Sequence, residues 1–164
     1  MSEALDLIDE FIYHAHMQER FKTAQANKAL RYMRKLNRAI AGYLGRKKTL
    51  ETKADYRRAS AKVRELTKAF EKQLLEIIEK DIRGQFRAEK EWLAGTLPET
   101  GNAPAENTVV NKVLFNSFNG VDTVEAYIKG LSLRIFRIWD SQMRIAVTTG
   151  AGLDRVTEQV LGGK

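Results

Sequence analysis

The sequence has no cysteine and, among its 164 residues, only two prolines and two histidines. Without cysteine there is neither a disulfide framework nor a thiolate metal site, which agrees with assembly in a reducing compartment. No apolar run approaches the roughly eighteen residues of a membrane span, so no span is expected. The acidic start (Glu3, Asp6, Asp9, Glu10) has the wrong sign for a secretory signal, and the chain is read as made in the cytoplasm.

Catalytic groups are equally scarce. With no thiol, and only His14 and His16 as imidazole bases, the usual nucleophile and base pairs are hard to assemble. Two histidines two apart on a helix point about 200° away from each other, so they do not chelate one ion as an i, i+4 pair does. Carboxylates alternate with Lys and Arg at helical spacing, as in Glu76/Lys80 and Asp81 near Arg83, which reads as solvated ion pairs. There is no glycine-rich phosphate loop. Neither an enzyme nor a cofactor is expected.

What remains is a helix-forming sequence with uneven charge. A hydrophobic content of 43% provides for a core, and 30% charged residues with so little proline favour helices. From Ser2, a suitable N-cap, nothing stops a helix before Gly42. Leu5, Ile8, Ile12 and Ala15, and then Ala26, Leu30, Met33, Leu36, Ile40 and Tyr43, recur by threes and fours as an expected packing stripe. Gly45 and the following Arg46, Lys47 and Lys48 mark its end.

The spacing predicts a second helix from Thr49 to about Ala94, carried by Tyr56, Ala59, Val63, Leu66, Phe70, Leu74, Ile77, Ile78, Ile82, Phe86 and Leu93. Helices of this length extend roughly 65 Å, and two matched ones joined by a short turn make an antiparallel hairpin. Both prolines then fall in a linker. It includes Leu97-Pro98-Glu99-Thr100-Gly101, which is similar to a sortase recognition site but lacks the membrane-spanning run and basic tail of a sorting signal. Val109 to Phe118 is apolar and reads equally as a short helix or an extended piece. Asp122 or Thr123 caps a third long helix whose Val124, Ile128, Leu131, Ile135, Ile138 and Ile145 keep heptad spacing, interrupted by Gln142, as an expected helix-packing or subunit interface. Gly150 ends it, and a short helix follows from Leu153 to Leu161.

The expected fold class is therefore all-α: an elongated antiparallel helical hairpin followed by a third long helix and a short C-terminal helix. Residues 1–94 form the hairpin arm with a basic face, 95–108 the linker, and 109–164 the C-terminal region.

The net charge of +7 comes mainly from one segment. Residues 1–16 carry four acids and no Lys or Arg, whereas residues 17–48 carry ten bases against Glu19 alone. Lys28, Arg31, Lys35 and Arg38, spaced 3, 4 and 3, share one helix stripe roughly opposite Leu30, Met33, Leu36 and Ile40. Arg20, Lys22 and Arg34 extend it, with Arg46, Lys47 and Lys48 at the turn. Solvated faces usually mix signs. This one points instead to phosphates met through the DNA backbone, or to an acidic protein surface, without sequence-specific reading.

Val113-Leu114, Asn119-Gly120, a long helix carrying Trp139, Arg144 and Ile145, Gly150-Ala151-Gly152-Leu153, and a short helix closing on Val160-Leu161-Gly162-Gly163 follow in that order. This arrangement, over residues 109–163, resembles the Mu protein F-like head morphogenesis family of tailed-bacteriophage minor head proteins. The resemblance implies a structural virion component in the head interior or portal vicinity. Its implied partners are portal, capsid or scaffold proteins, with a role in head assembly and DNA packaging or ejection. Family members generally continue into a domain bearing Cys and His. This sequence has no such segment, reads as a piece of a longer chain or as a shorter relative, and inherits no residue role from it. The alternatives are a non-sequence-specific nucleic-acid-binding helical protein or a basic coiled-coil adaptor; a homo-oligomer is compatible with all three.

Overall fold

The computed structural model describes residues 2–47, 49–96, 104–115 and 123–162, with side chains from Asp9 onward. These residues are 91% helical and contain no strand. Helix α1 spans Ser2–Gly45, α2 Lys53–Thr96, α3 Glu106–Phe115, α4 Val124–Thr149 and α5 Leu153–Leu161.

Local chemistry sets the ends. Helix α2 begins four residues later than its periodicity predicts because Thr52 and Asp55 form a capping box. Asp55 N donates to Thr52 Oγ1 at 3.1 Å, and Thr52 N donates to the Asp55 carboxylate at 3.2 Å. Thr123 caps α4 by accepting from Ala126 N at 3.0 Å, and Gly150, at φ 68°, closes it in the left-handed conformation that only glycine adopts cheaply. The linker is shorter than expected, since α2 runs on to Thr96 and the open apolar segment becomes helix α3 from Glu106. The sortase-like pentapeptide and Asn119-Gly120 lie outside the described residues.

Helix α2 is the hub. It packs against α1, α4 and α3, while α5 touches α1 and α4 only, among the described residues. Contacts between Phe11 and Trp92, His14 and Glu89, and Lys28 and Asp81 run α1 antiparallel to α2. Those between Ser60 and Asp140 and between Thr67 and Ser132 do the same for α4.

The core lies at the turn end. Leu36, Ile40 and Leu44 of α1 meet Ala59, Val63, Phe70 and Leu74 of α2, Ile128, Ile135, Trp139 and Met143 of α4, and Leu153 and Val156 of α5. Trp139 is fully buried, and its indole Nε1 donates to Asn37 Oδ1 at 2.9 Å, so α4 is tied to α1 as well as to α2. Val110 and Leu114 of α3 are also fully buried, outside that cluster.

Two expected stripes need correction. On α1, Ile12, Ala15, Ala26 and Leu30 are exposed, and no described side chain before Leu36 is buried. The half-buried positions facing α2 are instead His14, Gln18, Phe21, Gln25, Lys28 and Tyr32, spaced 4, 3, 4, 3 and 4. The apolar stripe follows the single-helix repeat into solvent, while the seam towards α2 is largely polar. On α4, Ile128 and Ile135 are buried and Val124 and Leu131 half-buried, but Ile138 and Ile145 stand about half exposed, at 48% and 47%. A strict seven-residue step drifts about 20° per heptad on a straight helix, enough to carry a stripe off the buried face. Gln142, which breaks the spacing, holds its Oε1 buried without a partner among the described residues.

Two substitutions test this partition. Ile135→Asp should cost about 3–5 kcal/mol by burying an unpaired charge, while Ile138→Asp, three residues on, should change stability by no more than about 0.5 kcal/mol. Urea unfolding of both variants reads the difference; equal costs would contradict the observed burial. Gly84→Ala, at a helix-internal site where an added Cβ meets nothing within 4 Å, should gain about 1 kcal/mol in the same assay.

Candidate polyanion interface

The ten bases singled out on α1 and its turn divide into three groups. Arg20, Arg31, Arg34, Lys35 and Arg38 are exposed, and none forms an ion pair among the described residues. At 100° per residue they fall within one sector of α1, opposite the core-facing Ile40 and roughly 27 Å from end to end. The Lys35 ammonium lies 5.1 Å from the Tyr32 ring centroid, which holds it beside the row. At the turn, Arg46 is exposed and Lys47 sits 5.7 Å from the Tyr43 ring; Lys48 lies outside the described residues.

Two of the ten leave the row. Lys28 turns into the seam, where its Nζ donates to both carboxylate oxygens of Asp81 at 2.9 and 2.7 Å. Asp81 is only 17% exposed, so Lys28 supplies the countercharge for a half-buried acid instead of a free surface cation. Lys22 points to the side opposite Arg31 and pairs with Glu19 at 2.7 Å in solvent, an interaction of little energetic weight.

The same geometry reassigns the expected acid pairs. Asp81 serves Lys28 rather than Arg83, and Glu76 lies 3.9 Å from Lys72 rather than pairing with Lys80. Arg83 pairs with Glu79 and reaches across to α3, where Glu106 also takes Arg87. The Arg87 hydrogen bond, and then that of Arg83, holds the Glu106 carboxyl below its ordinary range.

At the far end of the arm, His14 stacks on Trp92 with ring centroids 3.9 Å apart, and Phe11 meets the same indole edge-on. His14 Nε2 lies 2.7 Å from a Glu89 oxygen, and Gln18 bonds the other oxygen at 3.1 Å. His14 is therefore engaged between helices, and no third ligand-type side chain joins it within the described residues. A cleft of about 370 Å³ beside this cluster is bounded by Met17, Phe21, Gly84 and Gln85.

Sequence reasoning missed the Asp140 cluster. Asp140 is nearly buried on α4 and accepts from Tyr56 Oη at 2.9 Å and Ser60 Oγ at 2.6 Å, both on α2, and from Arg144 Nε at 2.9 Å. Burial pushes its carboxyl up, but the Ser60, Tyr56 and Arg144 hydrogen bonds outweigh that and hold it below the ordinary value. Burial and the same contact push the Tyr56 phenol up. Only the i, i+4 spacing of Asp140 and Arg144 was visible beforehand; Tyr56 and Ser60 lie 84 and 80 residues away in sequence. With every acceptor satisfied, the cluster locks α4 onto α2.

Comparison with known proteins finds no family model that matches the chain, no similar curated protein and no similar solved structure.

Asp140→Asn should lose about 1–2 kcal/mol, since hydrogen bonds to a charged acceptor outweigh those to a neutral one. Because the folded-state pKa is depressed, the carboxylate's contribution is complete above its unfolded value of about 3.9 and is lost as pH falls through the folded value. Wild-type stability should therefore drop faster than that of Asp140→Asn on acidification. Parallel pH curves would show that the cluster carries no such linkage.

Proposed function

We propose that this protein is a structural, non-catalytic component of a tailed-phage head, held near the portal, whose basic α1 face docks on DNA phosphates or on an acidic protein surface. The observation that carries the docking is the exposed row Arg20, Arg31, Arg34, Lys35 and Arg38, none of which is paired among the described residues. Cations left in solvent on one face raise the local concentration of any polyanion and steer its approach. The virion setting rests on the resemblance of residues 109–163 to minor head proteins. The helical architecture is compatible with it.

The two halves of the reading are tested separately. Arg20→Glu, Arg31→Glu and Lys35→Glu together should leave helicity unchanged, because the side chains face away from the core. They should weaken binding to double-stranded DNA and reduce the slope of log affinity against log salt by about three. Identical binding by wild type and variant would remove the docking role. For the setting, mass spectrometry of purified procapsids and virions should find the chain at low copy relative to the major capsid protein. Its absence from both, with salt-sensitive DNA binding retained, would favour a nucleic-acid-binding protein with no place in the particle.

A further inference from the structure

A cleft of about 290 Å³ opens between α1 and α2 beside the cationic row. Its floor is the buried pair Leu36 and Phe70, left open because the exposed residues on the two banks, Ala39 and Ala69, carry only a methyl group. Half-buried Tyr32 and exposed Lys35 complete the α1 side, with the Lys35 ammonium 5.1 Å from the Tyr32 ring centroid. Lys35 thus belongs both to the row and to the cleft. At 100° per residue, Arg31 and Arg38 lie about 40° and 60° to one side of it, and Ala39 and Tyr32 about the same angles to the other. On the α2 side the flanking lysines are engaged, Lys62 with Glu65 at 2.6 Å and Lys72 with Glu76 at 3.9 Å. Unpaired charge beside the cleft is therefore carried by the α1 lip among the described residues, over about 10 Å of helix from Arg31 to Arg38.

We propose that the cleft takes one unstacked base of a single-stranded nucleic acid whose phosphates lie along Arg31, Lys35 and Arg38. The inference rests on the docking role proposed above and names its ligand. An apolar floor beside an aromatic ring suits the face of a base, and bases stack on aromatic side chains with little regard to sequence. When a phosphate takes the Lys35 ammonium, the face of Tyr32 is released to the base. Cations along one lip suit a backbone running beside the cleft, and Arg20 continues that lip down α1. A small amphiphile with one anionic head would use Lys35 and leave the other cations idle. A duplex meets the same row, but its bases are paired and stacked and cannot enter without being flipped out.

Fluorescence anisotropy of the nuclease-treated full chain tests this with oligothymidylate of about 16 nucleotides, the abasic strand of the same length, a matched duplex, and polyglutamate. Wild type should bind oligothymidylate roughly tenfold more tightly than the abasic strand, the effect of one stacked base. Ala39→Leu and, separately, Ala69→Leu fill the cleft from either bank with little loss of helix propensity, which circular dichroism checks. Each should bring oligothymidylate down to the abasic level and leave abasic and duplex binding as in wild type. Arg31→Glu with Arg38→Glu should weaken all three nucleic-acid probes together. Equal affinity for the abasic and base-bearing strands, or unchanged binding by both filled variants, would overturn the base site while leaving the cationic docking role intact. Polyglutamate held as tightly as oligothymidylate would overturn it in favour of an acidic protein partner. Row reversal without effect would remove the docking role and this proposal with it.

Discussion

Two helices of 44 residues and one of 26 cannot share a core along their whole length, and the architecture depends on that mismatch. Helix α4 reaches only the turn-proximal part of α2, and there Trp139 and Ile135 complete a closed apolar interior with Ile40 and Val63. Towards its far end, α2 has α1 and the ten-residue α3 beside it among the described residues. Val110 and Leu114 of α3 are fully buried there, but no described side chain of α1 before Leu36 or of α2 after Leu74 is. The seam of the arm is held by Lys28 on Asp81, by Gln18 and His14 on Glu89, and by the stack on Trp92.

Much of the secondary structure was legible because its determinants are local. Thr123 before Val124, Gly150 after Thr149 and the extent of α5 follow from capping chemistry and periodicity, and the all-α class follows from the scarcity of proline and the length of the repeats. Facing was legible only where a third helix arrives. The spacing picks out Leu36 and Ile40, which are buried, and Tyr43, which is half-buried beside the unpicked, fully buried Leu44, but the same rule applied to Ile12, Ala26 and Leu30 picks the wet face. Periodicity measures the apolar side of a helix, not which neighbour is present to cover it. Of the candidate cations, Arg20, Arg31, Arg34, Lys35 and Arg38 occupy the surface as their spacing suggests. Lys28 departs because its partner Asp81 is 53 residues away, beyond the reach of any helical rule.

The charge order along α1 serves the helix as well as its surroundings. Arg46 and Lys47, just past the end of α1, stand where the negative end of the helix macrodipole favours cations. An arrangement that stabilises one helix thus also gives the molecule a strong electrical polarity. Asp140, the one buried carboxylate among the described residues, is turned inward and fully engaged, whereas the cations of the α1 row stand unpaired in solvent.

The polar seam of the arm also has a dynamic consequence. Removing a half-buried ion pair or a stacked imidazole disturbs no packed interior, so the arm can open from its free end while the Trp139 core stays closed. Amides near Phe11 and Trp92 are therefore expected to lose exchange protection before those around Leu36, since local opening starts where few buried contacts oppose it.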